Sequence, residues 1–283
     1  VLPRYGVAQL LEDNRMSFDE EGRLTGTYHY VYRVDSESSI QGWGLVQAVW
    51  SPWLEERPQI RVRVVTKEGR EVFLDPTTIS EAQPGREEES TLDDRKVLRA
   101  PVPALSVGAV VEVEVRTREH RPFARSGARH NLPLVWNVPV DQARWVVELP
   151  AGKPLQVLTR GIPPERVVRE TVGGRQRLTV VRHQVMPHRA PEPLQAHDQD
   201  PSPILTFSTA PSWEAVVREY LSLLEEPLRE PALKALVAET VAGCTSDREK
   251  VDRLLAKVQA QDRYLALEIG EAAIVPRTPG DTL

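Results

Sequence analysis

Cys244 is the one residue of its type in the chain, and a lone thiol invites a nucleophilic reading. It lies in the turn Ala242-Gly243-Cys244-Thr245-Ser246, ahead of a helical pattern whose N-terminus could stabilise a thiolate. A thiol nucleophile also needs a base within reach, and the last histidine of the chain, His197, precedes it. Cys244 is therefore read as structurally incidental, and no catalytic residue is expected. His183, His188 and His197, with Asp198 and Asp200, hold metal-binding side chains, but their spacing matches no compact ligand motif. No metal and no cofactor are expected. Trp43, Trp50 and Trp53 fall within twelve residues, Gly42 to Trp53, and could stack on a sugar or a peptide. They are the candidate binding residues, although tryptophans in β-rich folds more often pack than bind. Asp93-Asp94-Arg95 reads as a local ion pair in a loop.

Alternating strand patterns dominate the chain from Val1 to about Thr206. In Thr27–Val34 the tyrosines 28, 30 and 32 share one face of a strand, which is expected to be buried between sheets. With the apolar run Val7–Leu11 and the turn Asp19-Glu20-Glu21-Gly22 it makes a hairpin. Ile60–Val65 and Val72–Leu74 make another, around Lys67-Glu68-Gly69-Arg70, where Gly69 can supply a positive φ. Val110–Val115, Arg144–Leu149 and Arg177–Arg182 repeat the alternation. Strands at this spacing without intervening helices predict a large antiparallel β-sandwich over residues 1–186.

Six prolines between Pro187 and Pro211 predict an extended connector over residues 187–211, unable to join a central strand. The periodicity then turns helical. Ser212 can cap a helix carrying Trp213, Val216, Val217, Tyr220, Leu221 and Leu224 on one stripe. Leu233, Leu236, Val237 and Val241 form a second stripe, which Gly243 ends. Ser246 and Glu249 form a capping box for a third helix with Val251, Leu254, Leu255 and Val258. The expected fold is mainly β, a sandwich followed by a few helices that open an incomplete second domain over 212–283.

The 283 residues are 40% hydrophobic and 27% charged, the balance of an ordinary folded protein. The net charge is −5, from 36 Lys plus Arg against 41 Asp plus Glu, and it leaves no basic surplus for nucleic acid. No apolar run is long enough to span a membrane. The chain opens at Val1 without Met or an apolar leader, as a processed or trimmed chain would.

Two further sets of residues carry a family resemblance. Ser208-Thr209, Trp213, Tyr220, Val258, Arg263-Tyr264, Leu267-Glu268-Ile269-Gly270 and Pro276-Arg277-Thr278-Pro279 follow one another as in the opening of bacterial transglutaminase-like domains. Upstream, Gly69, Asp94-Arg95, Pro103-Ala104-Leu105, Gly108, Val110–Val115 and Val147-Glu148-Leu149-Pro150 are similar to the domain of unknown function that precedes such cores. Arg263 departs from the pattern, since Gln261-Asp262 stand where an Ile is commoner.

The resemblance implies a papain-like fold begun by the helices and truncated before its catalytic Cys, which would follow Leu283. It implies that a complete form would carry out Cys-dependent amide acyl transfer or hydrolysis on a protein or peptide substrate, with Arg263-Tyr264 packing beneath the active-site helix. The sandwich would position substrate or partner, in the periplasm or outside a bacterial cell. A non-catalytic envelope module for glycan or peptide is the alternative.

Overall fold

The computed structural model describes residues 5–83, 94–187, 202–225, 227–261 and 275. Two compact units divide them, one holding all the strands and the other the helices from Ser212 onward.

In the first unit, β1 (Val7–Phe18) and β2 (Leu24–Val34) form a long hairpin. Its turn is fixed by the Asp19 carboxylate, which accepts from the N–H groups of Glu21 and Arg23 at 3.0 and 2.9 Å. A single helical turn, α1 (Ile40–Trp43), leads into β3 (Leu45–Trp50). β4 (Gln59–Val65) and β5 (Glu71–Phe73) form the second expected hairpin, with Gly69 at φ +84°. Then come β6 (Ser80–Ala82), β7 (Lys96–Pro101), β8 (Val110–Arg118), β9 (Arg129–Pro133) and β10 (Val140–Pro150). β11 (Gln156–Arg160), β12 (Val167–Val172), β13 (Arg175–Val185) and β14 (Ile204–Ser208) complete the unit.

Eight strands pair in the order β12-β13-β10-β1-β2-β8-β4-β5. The mainly β architecture with a few following helices is as the periodicities predict. One pairing departs from the antiparallel expectation: β1 runs parallel to β10, from Gln9 opposite Val140 to Ser17 opposite Glu148. The large sheet is thus two antiparallel sets of strands joined at a parallel seam. Two three-stranded sheets, β3-β7-β6 and β11-β14-β9, pack on it. The first closes a core of Val34, Val62, Val64, Val111 and Val113 against Val46, Leu98 and Ala100. The second closes a core of Met16, Phe18, Val147, Leu149 and Leu178 against Leu132, Leu205 and Phe207.

The region expected to be a connector holds β14, the middle strand of the second small sheet, paired with both β11 and β9. Pro201, Pro203 and Pro211 flank Ile204–Ser208, so the strand itself keeps every backbone donor, and Leu205 and Phe207 alternate into the core.

In the second unit the three expected helices form: α2 (Trp213–Glu225), α3 (Pro231–Thr240) and α4 (Asp247–Gln261). Ser246 caps α4 by accepting from the Glu249 N–H at 3.3 Å. The returning half of the box differs from expectation, because the Glu249 carboxylate accepts from the Thr245 N–H at 2.7 Å. No helix among the described residues is long and apolar enough to cross a membrane.

Candidate functional site

A groove of about 480 Å³ opens on the large sheet, lined from β1, β2, α1, β3 and β10. Residues opposite one another on neighbouring strands share a face. Tyr32, Tyr30 and Tyr28 of β2 stand opposite Gln9, Glu12 and Asn14 of β1, and Asn14 in turn stands opposite Trp145 of β10. A bulge between Gln9 and Leu11 makes this possible. In a regular strand Gln9 and Glu12, three positions apart, would point to opposite sides of the sheet.

The groove floor is polar, and its hydrogen bonds converge on one carboxylate. Glu12 accepts from Gln9 Nε2 at 2.8 Å, from Asn14 Nδ2 at 2.6 Å and from Trp136 Nε1. Gln9 and Asn14 are buried, at 7% and 3% exposure, so the network is fixed within the sheet. The rings of Tyr30, Trp43 and Trp145 flank it and are half-buried. Tyr32 is buried and donates from its hydroxyl to the Trp43 carbonyl at 2.7 Å, with the two rings 4.9 Å apart. Burial and the charge of Glu12 push the Tyr30 phenol up to about 12, and burial pushes Tyr32 higher still, so both stay neutral.

A smaller cavity of about 250 Å³ lies where β8 leaves the sheet, lined among others by Phe18, Glu119, Phe123, Gly127 and His130. Glu119 is buried, and its carboxylate accepts from the Leu24 N–H at 2.8 Å. Burial raises its pKa to about 7, against that hydrogen bond and with help from the charges of Glu55 and Asp19. His130 is stacked on Phe207 at 4.8 Å, and its buried Nε2 has no hydrogen-bond partner. Burial lowers its pKa to about 4.

The three sequence-selected tryptophans do not share one surface. Trp43 lines the groove. Trp50 is in the first core at 8% exposure, under the ammonium of Lys96. Trp53 lies between Phe123, at 6.4 Å, and the Arg121 guanidinium, at 4.9 Å. The tyrosine face, expected to be buried or to lie between sheets, puts Tyr32 in the first core with Tyr28 and Tyr30 packed against it, and also lines the groove. Gln9, Glu12, Asn14 and Trp145 were not singled out from the sequence. The polar run Glu12-Asp13-Asn14-Arg15, between the apolar Leu10-Leu11 and Met16, was the available signal. Cys244 sits in the turn before α4, in a unit that contains no histidine. His183 is on β13 opposite Gln142. His188, His197, Asp198, Asp200, Asp93 and Arg263-Tyr264 lie outside the described residues. Among the described residues no group of three or more metal-binding side chains gathers.

Among solved structures, a presumed protease from Parabacteroides distasonis is similar over 96% of this chain, with a TM-score of 0.72 and 16% identity. The chain spans 53% of that protein's length. An M1 zinc metallopeptidase from Deinococcus radiodurans matches over 71% of the chain and 42% of its own, at 11% identity and a TM-score of 0.32. Native yeast LTA4 hydrolase matches over 79% and 36%, at 13% identity and a TM-score of 0.33. Scores that low carry no argument. No curated protein matches the sequence. A family model described as a domain of unknown function with a solved structure (DUF3857) matches residues 20–189, more than half of the chain, and the chain therefore belongs to the DUF3857 family.

Proposed function

We propose that this chain is the non-catalytic, partner-positioning portion of a longer transglutaminase-like protein of the bacterial envelope. Its complete form would cleave or transfer amide acyl groups through a cysteine nucleophile. The observation that carries the reading is the likeness of 96% of this chain to little more than half of a presumed protease. The chemistry of the chain agrees with that division of labour. Its one thiol shares its unit with no histidine, so it lacks the base that a cysteine nucleophile requires. The strand unit instead offers a preformed groove with aromatic walls and a rigid polar floor, the character of a recognition site. The same groove favours a second reading, in which the whole protein is a binding module for an envelope peptide or glycan.

Parallel assays of peptide-amide hydrolysis and amine incorporation test the proposal, using this chain and the complete protein from the same reading frame. The complete protein should turn over and lose activity on thiol alkylation, while this chain should show none. Turnover by this chain, or a complete protein whose activity survives alkylation, would sink it. An inactive complete protein that still retains peptide would leave the binding-module reading in its place.

A further inference from the structure

Among the described residues lining the groove, Glu12 carries the one carboxylate, and none is Lys, Arg or His. Gln9 and Asn14 each spend one amide N–H on Glu12, which leaves each a second N–H and its carbonyl oxygen. The floor therefore carries negative charge and offers carbonyl acceptors beside it, while the indole N–H of Trp145 is a buried donor without a partner. The walls include the aromatic side chains of Tyr30, Trp43 and Trp145, a ring type whose faces attract cations. An anion would meet repulsion here. A neutral apolar side chain would cover the acceptors without satisfying them, at a desolvation cost. An ammonium or guanidinium group satisfies both floor and walls, because it donates hydrogen bonds, accepts none and carries positive charge. About 480 Å³ admits such a side chain with some of its adjoining backbone.

We propose that the groove is a specificity pocket for a basic side chain, Lys or Arg, of a peptide or protein partner, with Glu12 as its counter-charge and Tyr30 and Trp43 as its walls. This assignment rests on the partner-positioning reading and names the partner's chemistry.

The test titrates the 283-residue chain with four probes, followed by calorimetry and tryptophan fluorescence. Three are blocked pentapeptides, Gly-Gly-X-Gly-Gly, with Lys, Arg or norleucine at X, and the fourth is maltotetraose. The Lys or Arg peptide should bind at least about tenfold more tightly than the norleucine peptide, and Glu12→Gln should abolish that preference. Glu12→Gln removes the acceptor of three donors and could disturb the sheet, so Trp43→Leu at the wall serves as a second variant. It should weaken the basic peptide severalfold and leave the melting transition in place. Equal binding of the norleucine peptide, preference for maltotetraose, absence of binding by either basic peptide, or a preference that survives both substitutions would overturn the assignment. Turnover by the complete protein does not enter this measurement, so the pocket and the positioning reading can fail separately.

Discussion

Glu119 and His130 line one cavity and carry their protons in the reverse of the order they have in water. Between about pH 4.5 and 7, Glu119 is protonated in the folded chain and ionised in the unfolded one, so folding loses stability as pH rises through that window. Between about pH 4 and 6.5, His130 is neutral when folded and protonated when unfolded, so folding gains stability as pH rises. Each displacement is worth roughly 3 kcal/mol at most. Their slopes oppose one another over nearly the same range, and together they leave stability almost level there. Glu119→Gln keeps an acceptor for Leu24 and removes the falling limb. Urea denaturation should then show stability climbing by up to about 3 kcal/mol from pH 4 to 6.5. His130→Gln should show the opposite trend, and level profiles in both variants would refute the pairing. Beside them, Gly127 holds φ +99°, and a Cβ there would lie 2.5 Å from the Ala210 nitrogen. Gly127→Ala should cost about 1–3 kcal/mol in backbone strain alone, read as a lowered melting temperature. None of these environments has a local sequence signature. Burial at positions 119 and 130 depends on which distant strands cover them.

At the scale of elements, the legible strands were those with strict alternation on a half-covered face. In β8 the run Val111-Glu112-Val113-Glu114-Val115 states its own geometry, and β2 does the same with tyrosines. β14 was hidden by its flanking prolines, although Leu205 and Phe207 are fully buried, at 1% and 0% exposure. Phe207→Ala should destabilise the strand unit by about 3–5 kcal/mol, measured by chemical denaturation. A connector role for this segment would instead predict a change within about half a kcal/mol. The bulge at the start of β1 concealed the groove, because the apolar run Val7–Leu11 carries no mark of an extra residue. Deleting Leu10 should leave Gln9 on the face of Glu12 but pull Val7–Gln9 out of register with β10, where Gln9 and Leu11 stand opposite Val140 and Gln142. The expected result is loss of the cooperative unfolding transition, and a native-like melt in the deletion variant would show the bulge to be dispensable.

At the scale of the molecule, the division into a strand unit and a helical unit was legible from the change of period near Ser212. Both periods are local properties of the chain. The groove was legible only in part, through Trp43. Its other walls come from strands that the sequence places far apart, and no local pattern reports a parallel pairing. That pairing has a further consequence, for synthesis. β2 follows β1 within a few residues and closes one of its edges at once, but the other edge must wait for β10, whose Val140 pairs with Gln9. At about 5–20 residues per second on the ribosome, that edge stays open for roughly 6–24 seconds between Phe18 and Val140. During the interval β1 presents an unpaired row of backbone donors and acceptors beside its apolar residues, open to any other strand that arrives first.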